Sequence, residues 1–219
     1  MVGVRSSVAT GVRAGLPFAL PTFVLGVSFG VLARPLMGPV APIVMSAVMY
    51  AGAGQFAALS VLAAGGGAGV AVGAGLLMNA RWLPMSLAIG PSLAGGVLRR
   101  AAFGQAVVDA SWALSSRGDG TFDRAVLVGA TLPQATAWTA GTIAGVVGAG
   151  ALGHPERLGL DAIFPAFYLS LLFREVRDRR ALLVAGGGAA VTMALLPVAP
   201  AGLPILAAAV VALVGLRRA

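Results

Sequence analysis

Three long stretches of this chain carry no charged side chain: Pro35–Ala80, Ala125–Gly153 and Ala181–Leu216. A helix crosses the hydrocarbon of a bilayer with about 20 apolar residues, so these stretches hold several crossings. Lipid does not tolerate unpaired backbone groups, and apolar runs of this length suit helices rather than the alternating strands of a barrel. Charged residues make up 10% of the chain, whereas a water-soluble domain carries about a quarter. The expected class is an all-α polytopic membrane protein, a single transmembrane domain over residues 1–219.

The formal charge of +8 does not point to nucleic acid. Every basic residue is an arginine, and the arginines cluster at the edges of apolar runs, as in the cytoplasmic loops of membrane proteins. One histidine and no cysteine leave no metal-ligand cluster and no disulfide framework, so neither a metal nor a cofactor is expected. Met1–Arg13 is basic but lacks a small-residue cleavage signal. It reads as a cytoplasmic N-terminal segment or an interfacial helix rather than a removed signal peptide.

A first span is expected over about Leu16–Ala33. Pro39–Ala64 follows, interrupted by Ala51-Gly52-Ala53-Gly54, and Gly69–Leu93 reads as a second full span. Ala101–Ser116 reads as one short interfacial or partly inserted helix. A third span lies within Ala125–Gly148 and a fourth over about Leu160–Phe173. The last stretch, Ala181–Leu216, is broken by Pro197, Pro200, Gly202 and Pro204. Arginine bias places Arg5/Arg13, Arg99/Arg100, Arg174–Arg180 and Arg217/Arg218, and with them both termini, in the cytoplasm. That arrangement requires Pro39–Ala64 to be two half-length helices that enter and return on one side.

The segment Gly15-Leu16-Pro17-Phe18-Ala19-Leu20-Pro21-Thr22-Phe23 aligns without gaps on Gly159-Leu160-Asp161-Ala162-Ile163-Phe164-Pro165-Ala166-Phe167. Each copy precedes an apolar stretch broken near its middle, and the two copies enter the membrane from opposite sides. The expectation is an inverted repeat, about 15–64 and 159–216, with short helices and two broken or re-entrant segments. This is a transporter architecture, with substrate held near the breaks.

Four segments resemble the large subunit of the AzlC-like branched-chain amino acid export permeases. They are Gly15-Leu16-Pro17 to Gly30, Tyr50-Ala51-Gly52-Ala53-Gly54-Gln55-Phe56-Ala57-Ala58, Asn79-Ala80-Arg81, and Gly159-Leu160-Asp161 with Pro165-Ala166-Phe167. The resemblance implies multi-pass residence in the cytoplasmic membrane and export of valine, leucine or isoleucine driven by the proton gradient. It also implies a small, separately encoded membrane subunit as partner, similar to AzlD. Two departures stand out. Trp82 follows Arg81 where the family pattern often has histidine, and the family's Asp-Glu pair is here Asp109-Ala110. No proton-coupling role of that histidine or glutamate carries over.

The substrate-binding candidates are Gly52, Gly54, Gln55, Phe56, Pro21, Asn79 and Pro165. An unwound, glycine-rich backbone offers partial charges that suit a small zwitterion, and half-helix N-termini attract carboxylates. Each candidate has a plainer role: Gln55 as a hydrogen bond between helices, the glycines as close packing, Pro21 and Pro165 as tolerated membrane prolines. Arg81, Asp109 and Asp161 are candidates for coupling or structural charge. An arginine at mid-membrane costs about 2.5–3.5 kcal/mol, so Arg81 needs a cavity, an acidic partner or a route to the interface. Asp161 after a glycine suits a helix cap, and Asp109 suits a solvated acid. The three tryptophans read as packing or interface anchors.

A channel, a transporter for another small solute and a membrane enzyme are the competing classes. No selectivity-filter motif favours the channel. No Ser/His/Asp set, HExxH or lysine-bearing phosphate loop favours an enzyme, and His154 sits in a loop beside Pro155.

Overall fold

The computed structural model describes residues 7–80, 82–149 and 179–199, with isolated positions at 169, 172, 173, 176, 203, 204, 207, 208, 210 and 211. Among them the chain is all-α, in nine helices: α1 (Val8–Met37), α2 (Ala41–Met49), α3 (Gly52–Ala63), α4 (Ala68–Asn79), α5 (Trp82–Ile89), α6 (Val97–Gly104), α7 (Asp109–Ser115), α8 (Arg124–Gly148) and α9 (Arg179–Leu195). A 3-10 turn over Gly90–Ser92 follows α5. Among the described residues α1 alone is, by length and composition, long and apolar enough to cross a membrane.

Local chemistry explains most boundaries. The Ser7 hydroxyl accepts from the Thr10 amide at 3.1 Å and starts α1. The helix runs unbroken through Pro17, Pro21 and Pro35 to Gly38, whose positive φ of 74° ends it. Helix α3 closes in a Schellman turn: Gly66 donates to the Val61 carbonyl at 2.8 Å and Gly65 to Leu62 at 3.0 Å. Asp123 starts α8 by accepting from the Ala125 and Val126 amides at 3.0 and 3.2 Å.

Four boundaries correct the expectations. The first span starts before Arg13 rather than after it, so that arginine lies within α1. The interruption expected at Ala51–Gly54 falls at Tyr50 and Ala51, and Gly52 and Gly54 lie in the first turn of α3. Gly69–Leu93 is not one span. It breaks between Asn79 and Trp82, because Pro84 cannot donate to the Ala80 carbonyl and its ring crowds that oxygen. Ala101–Ser116 is two helices, with Gln105 at the C-cap of α6. The Ser111 hydroxyl turns the connection by donating to the Ala106 carbonyl at 2.6 Å.

The chain divides into two compact units, Met1–Gly52 with Asn79–Gly153, and Ala53–Met78 with His154–Ala219. The spine of the first is the pair α1 and α8. Gly11 and Gly15 lie against Val126 to Ala130, and Gly26 and Gly30 against Trp138 to Val146, so the two helices run parallel. The charge-based topology also runs both of these segments in one direction. A Cβ at Gly11 or Gly26 would come within 2.5 Å of the Val126 or Trp138 carbonyl oxygen. Small residues thus let the backbones touch, the usual basis of helix association in lipid. Arg34 of α1 donates to the Val146 carbonyl near the end of α8, a favourable place for a cation. Beside this spine Ile89, Leu93, Val107, Phe122 and Leu127 form an apolar cluster.

In the second unit, Gly75 of α4 faces Gly54 of α3, where an added Cβ would sit 3.1 Å from the Gly54 carbonyl oxygen. Residues Ala53 to Leu59 of α3 are all buried. The second copy of the expected repeat, residues 159–167, lies outside the described residues, as do Pro200 and Gly202.

Candidate functional site

The end of α2 is held by hydrogen bonds inside an apolar setting. The Trp138 indole nitrogen donates to the Ser46 hydroxyl at 3.1 Å, and Ser46 shares a hydrogen bond with Thr142 at 2.9 Å. Phe29 of α1 stacks on Trp138 with centroids 5.9 Å apart. The Tyr50 hydroxyl bonds to Thr22 of α1. With α2 fixed on both spine helices, Tyr50 takes a left-handed conformation, φ 33° and ψ 57°. A non-glycine residue held there costs about 1–3 kcal/mol, which the surrounding bonds sustain. Gly52 then passes over the Trp138 ring, 2.9 Å from where its Cβ would be. The break after α2 is therefore built into the fold.

A cavity of about 300 Å³ opens beside this break, lined by Val48, Met49, Ala51, Asn79, Trp82, Ala101, Gly104 and Gln105. Asn79 closes α4 and Trp82 opens α5, so the second break meets the first here. Among the described residues, no charged side chain lines the cavity. Asn79 Oδ1 and Trp82 Nε1 are both buried and without a hydrogen-bond partner. Leaving a buried acceptor or donor unpaired costs about 1–3 kcal/mol each. One acceptor and one donor, next to the apolar walls of Val48 and Met49, suit a small molecule with a polar head and an aliphatic tail. The volume lies at the lower end of ligand pockets.

Of the residues expected to bind substrate, Asn79 lines this cavity. Gly52 lies against Trp138, and Gly54 against Gly75. Gln55 and Phe56 are fully buried within α3, and Pro21 is on the exposed side of α1. Asp109 is exposed at the start of α7, where its charge acts on Tyr50. Arg81, Asp161 and Pro165 lie outside the described residues. Trp82, expected as a packing or interface anchor, and Gln105, not among the candidates, also line the cavity. The signal for Trp82 was present: a polar ring replaced the histidine the resemblance implies after Arg81. Trp138 and Trp112 are packing residues, Trp112 lying 5.1 Å from Phe122 and donating to the Met85 carbonyl at 3.2 Å.

A family described as AzlC protein matches residues 17–152, more than half of the chain. The inner membrane protein YgaZ of Escherichia coli strain K12 is 28% identical over 207 residues, covering 86% of this chain and 83% of that protein. No solved structure matches.

Proposed function

The chain belongs to the AzlC protein family, and from that premise we propose that it is a secondary transporter exporting branched-chain amino acids across the cytoplasmic membrane. The location draws support from the inner-membrane relative. The observation that carries the reading is the unpaired couple Asn79 Oδ1 and Trp82 Nε1, on two residues that line a cavity at two helix breaks. The substrate ammonium donates to Asn79 Oδ1, at the C-terminal end of α4. The carboxylate accepts from Trp82 Nε1, at the N-terminal end of α5. Each charge then meets the helix end whose dipole favours it. The branched side chain rests on Val48 and Met49, where each buried CH₂ adds about 0.8 kcal/mol of attraction.

Transport is proton-driven and uses a small membrane partner subunit in this reading. The charge of Asp109 reaches Tyr50 at the break, which supports a role for this acid in coupling the proton to the site. Both termini face the cytoplasm, and α2 and α3 are half-length helices that return to one side. The parallel course of α1 and α8 supports that topology.

The test is counterflow in proteoliposomes with a panel of labelled amino acids, with and without the partner. Leucine, valine or isoleucine should exchange. Asn79→Ala and Trp82→Phe should each weaken apparent affinity by about tenfold, the equivalent of one lost hydrogen bond to a charged group. Unchanged affinity in both variants removes the cavity from the transport path.

A further inference from the structure

A second cavity, of about 710 Å³, lies at the end of the first unit where α1 and α8 begin. Arg99, Arg117 and Arg124 line it together with one carboxylate, Asp123. That carboxylate is already engaged. Its Oδ1 accepts from the Ala125 and Val126 amides, and its Oδ2 accepts from Arg117 Nη2 at 2.9 Å. Among the described residues, Arg99 and Arg124 make no ion pair, and both are exposed. Among the described residues, two of the three guanidinium groups therefore have no carboxylate paired with them. The Arg99 guanidinium lies over the Phe103 ring, 5.8 Å from its centroid, which holds it at the cavity wall. Val8, Phe122 and Val128 form an apolar part of the wall, which Ser92 and Thr121 also line.

Unpaired arginines beside an apolar wall at the end of membrane helices suit a phosphate carried on a hydrophobic body. A guanidinium fork matches phosphate oxygens in two parallel hydrogen bonds. A freely soluble phosphate would leave the apolar wall unused. The arginine bias puts this end at the cytoplasmic surface, where anionic lipids concentrate. We propose that this cavity binds the phosphodiester head group of an anionic phospholipid, with Arg99 and Arg124 holding the phosphate and the apolar wall meeting the glycerol and upper acyl chain.

The experiment uses the full chain purified in neutral detergent, with its thermal midpoint followed during titration with phosphatidylglycerol, phosphatidylcholine or soluble glycerol phosphate. Phosphatidylglycerol should raise the midpoint saturably and phosphatidylcholine should not. In the double variant Arg99→Gln, Arg124→Gln the half-saturating concentration should rise by about tenfold or more, while Arg13→Gln, outside the cavity, should leave it unchanged. Should the double variant fail to fold, Arg124→Gln alone is read, with an expected rise of about threefold. Equal half-saturation in the variant and the original chain overturns the proposal, as does an equal response to phosphatidylcholine. Glycerol phosphate acting as strongly as the lipid overturns the lipid assignment in favour of a soluble phosphate.

Discussion

The Trp138 indole nitrogen donates to the Ser46 hydroxyl at 3.1 Å, tying the last turns of α2 to the middle of α8. Both side chains are buried, at 3% and 1% exposure. Ser46 keeps its hydrogen bond with Thr142 when the indole is removed, so losing this bond costs about 0.5–1.5 kcal/mol. Ser46→Ala should lower the thermal midpoint clearly. Trp138→Phe should lower it too, and the double variant should lose less than the two losses added together. Additive losses would mean that the bond carries no coupling.

The glycine seam gives a sharper contrast. A Cβ at Gly145 would collide with the Val27 carbonyl oxygen, whereas one at Gly148 would meet nothing within 4 Å. Gly145→Ala should therefore destabilise the chain by about 1–3 kcal/mol, as overpacking against backbone does. Gly148→Ala on the same helix should be neutral or slightly stabilising, since alanine is the better helix former. Detergent melting curves of the two proteins decide it.

How much of this was legible beforehand follows from where chemistry is local. A third span is expected within Ala125–Gly148, and the helix there runs over Arg124–Gly148, because Asp123 and Arg124 mark its start in charge. Asn79, which lines the cavity, stands out in the sequence as a candidate because an amide in an apolar run must find a partner or a ligand. The break before Pro84 is hidden in the sequence by the continuous apolarity of Gly69–Leu93, which outweighs a proline three residues into α5. Glycine composition announces close packing but not the partner. That Gly11 faces Val126, and Gly54 faces Gly75, depends on the fold. The unpaired state of Trp82 Nε1 was likewise invisible, since the residue reads equally well as an interface anchor.

The loop before α8 titrates in a predictable direction. Thr121 donates through its hydroxyl to Asp119 Oδ1 at 2.6 Å and through its amide at 2.9 Å, and the hydroxyl bond is the main cause that lowers the Asp119 pKa. A lowered carboxyl pKa gives stability that is present above the ordinary carboxylate value and is lost as pH falls through the folded-state value. The turn should thus stay closed at neutral pH and open only in acid. Thr121→Val should move the Asp119 titration, followed by carbon-13 carboxyl shifts with Asp119→Asn for assignment, back up toward the ordinary range. An unmoved titration would take the hydroxyl out of the account.

Asp123 holds the start of α8 by two amide bonds and one ion pair, and the two roles separate by substitution. Asn keeps an acceptor for the amides and loses the charge. Arg117 is 54% exposed, so its pairing contributes little. Asp123→Asn should cost only a few tenths of a kcal/mol and Asp123→Ala about 1 kcal/mol, the usual cost of a lost N-cap. Equal losses in the two variants would assign the stabilisation to the ion pair instead.

Gly104 offers a test of the cavity that leaves its polar groups untouched. It lines the 300 Å³ space at the end of α6, and a Cβ there meets no atom within 4 Å. A leucine at this position therefore has room to enter the cavity without displacing backbone, and it replaces a poor helix former by a good one. Gly104→Leu should keep or raise the thermal midpoint while reducing leucine counterflow by about tenfold or more, since its side chain occupies the space where the substrate's aliphatic tail would lie. Gly96→Leu, at the other end of the same helix and equally open but outside the cavity lining, serves as the control and should transport normally. Should Gly104→Leu transport at the original rate and affinity, the substrate does not use this cavity, and Asn79 and Trp82 are buried for another reason.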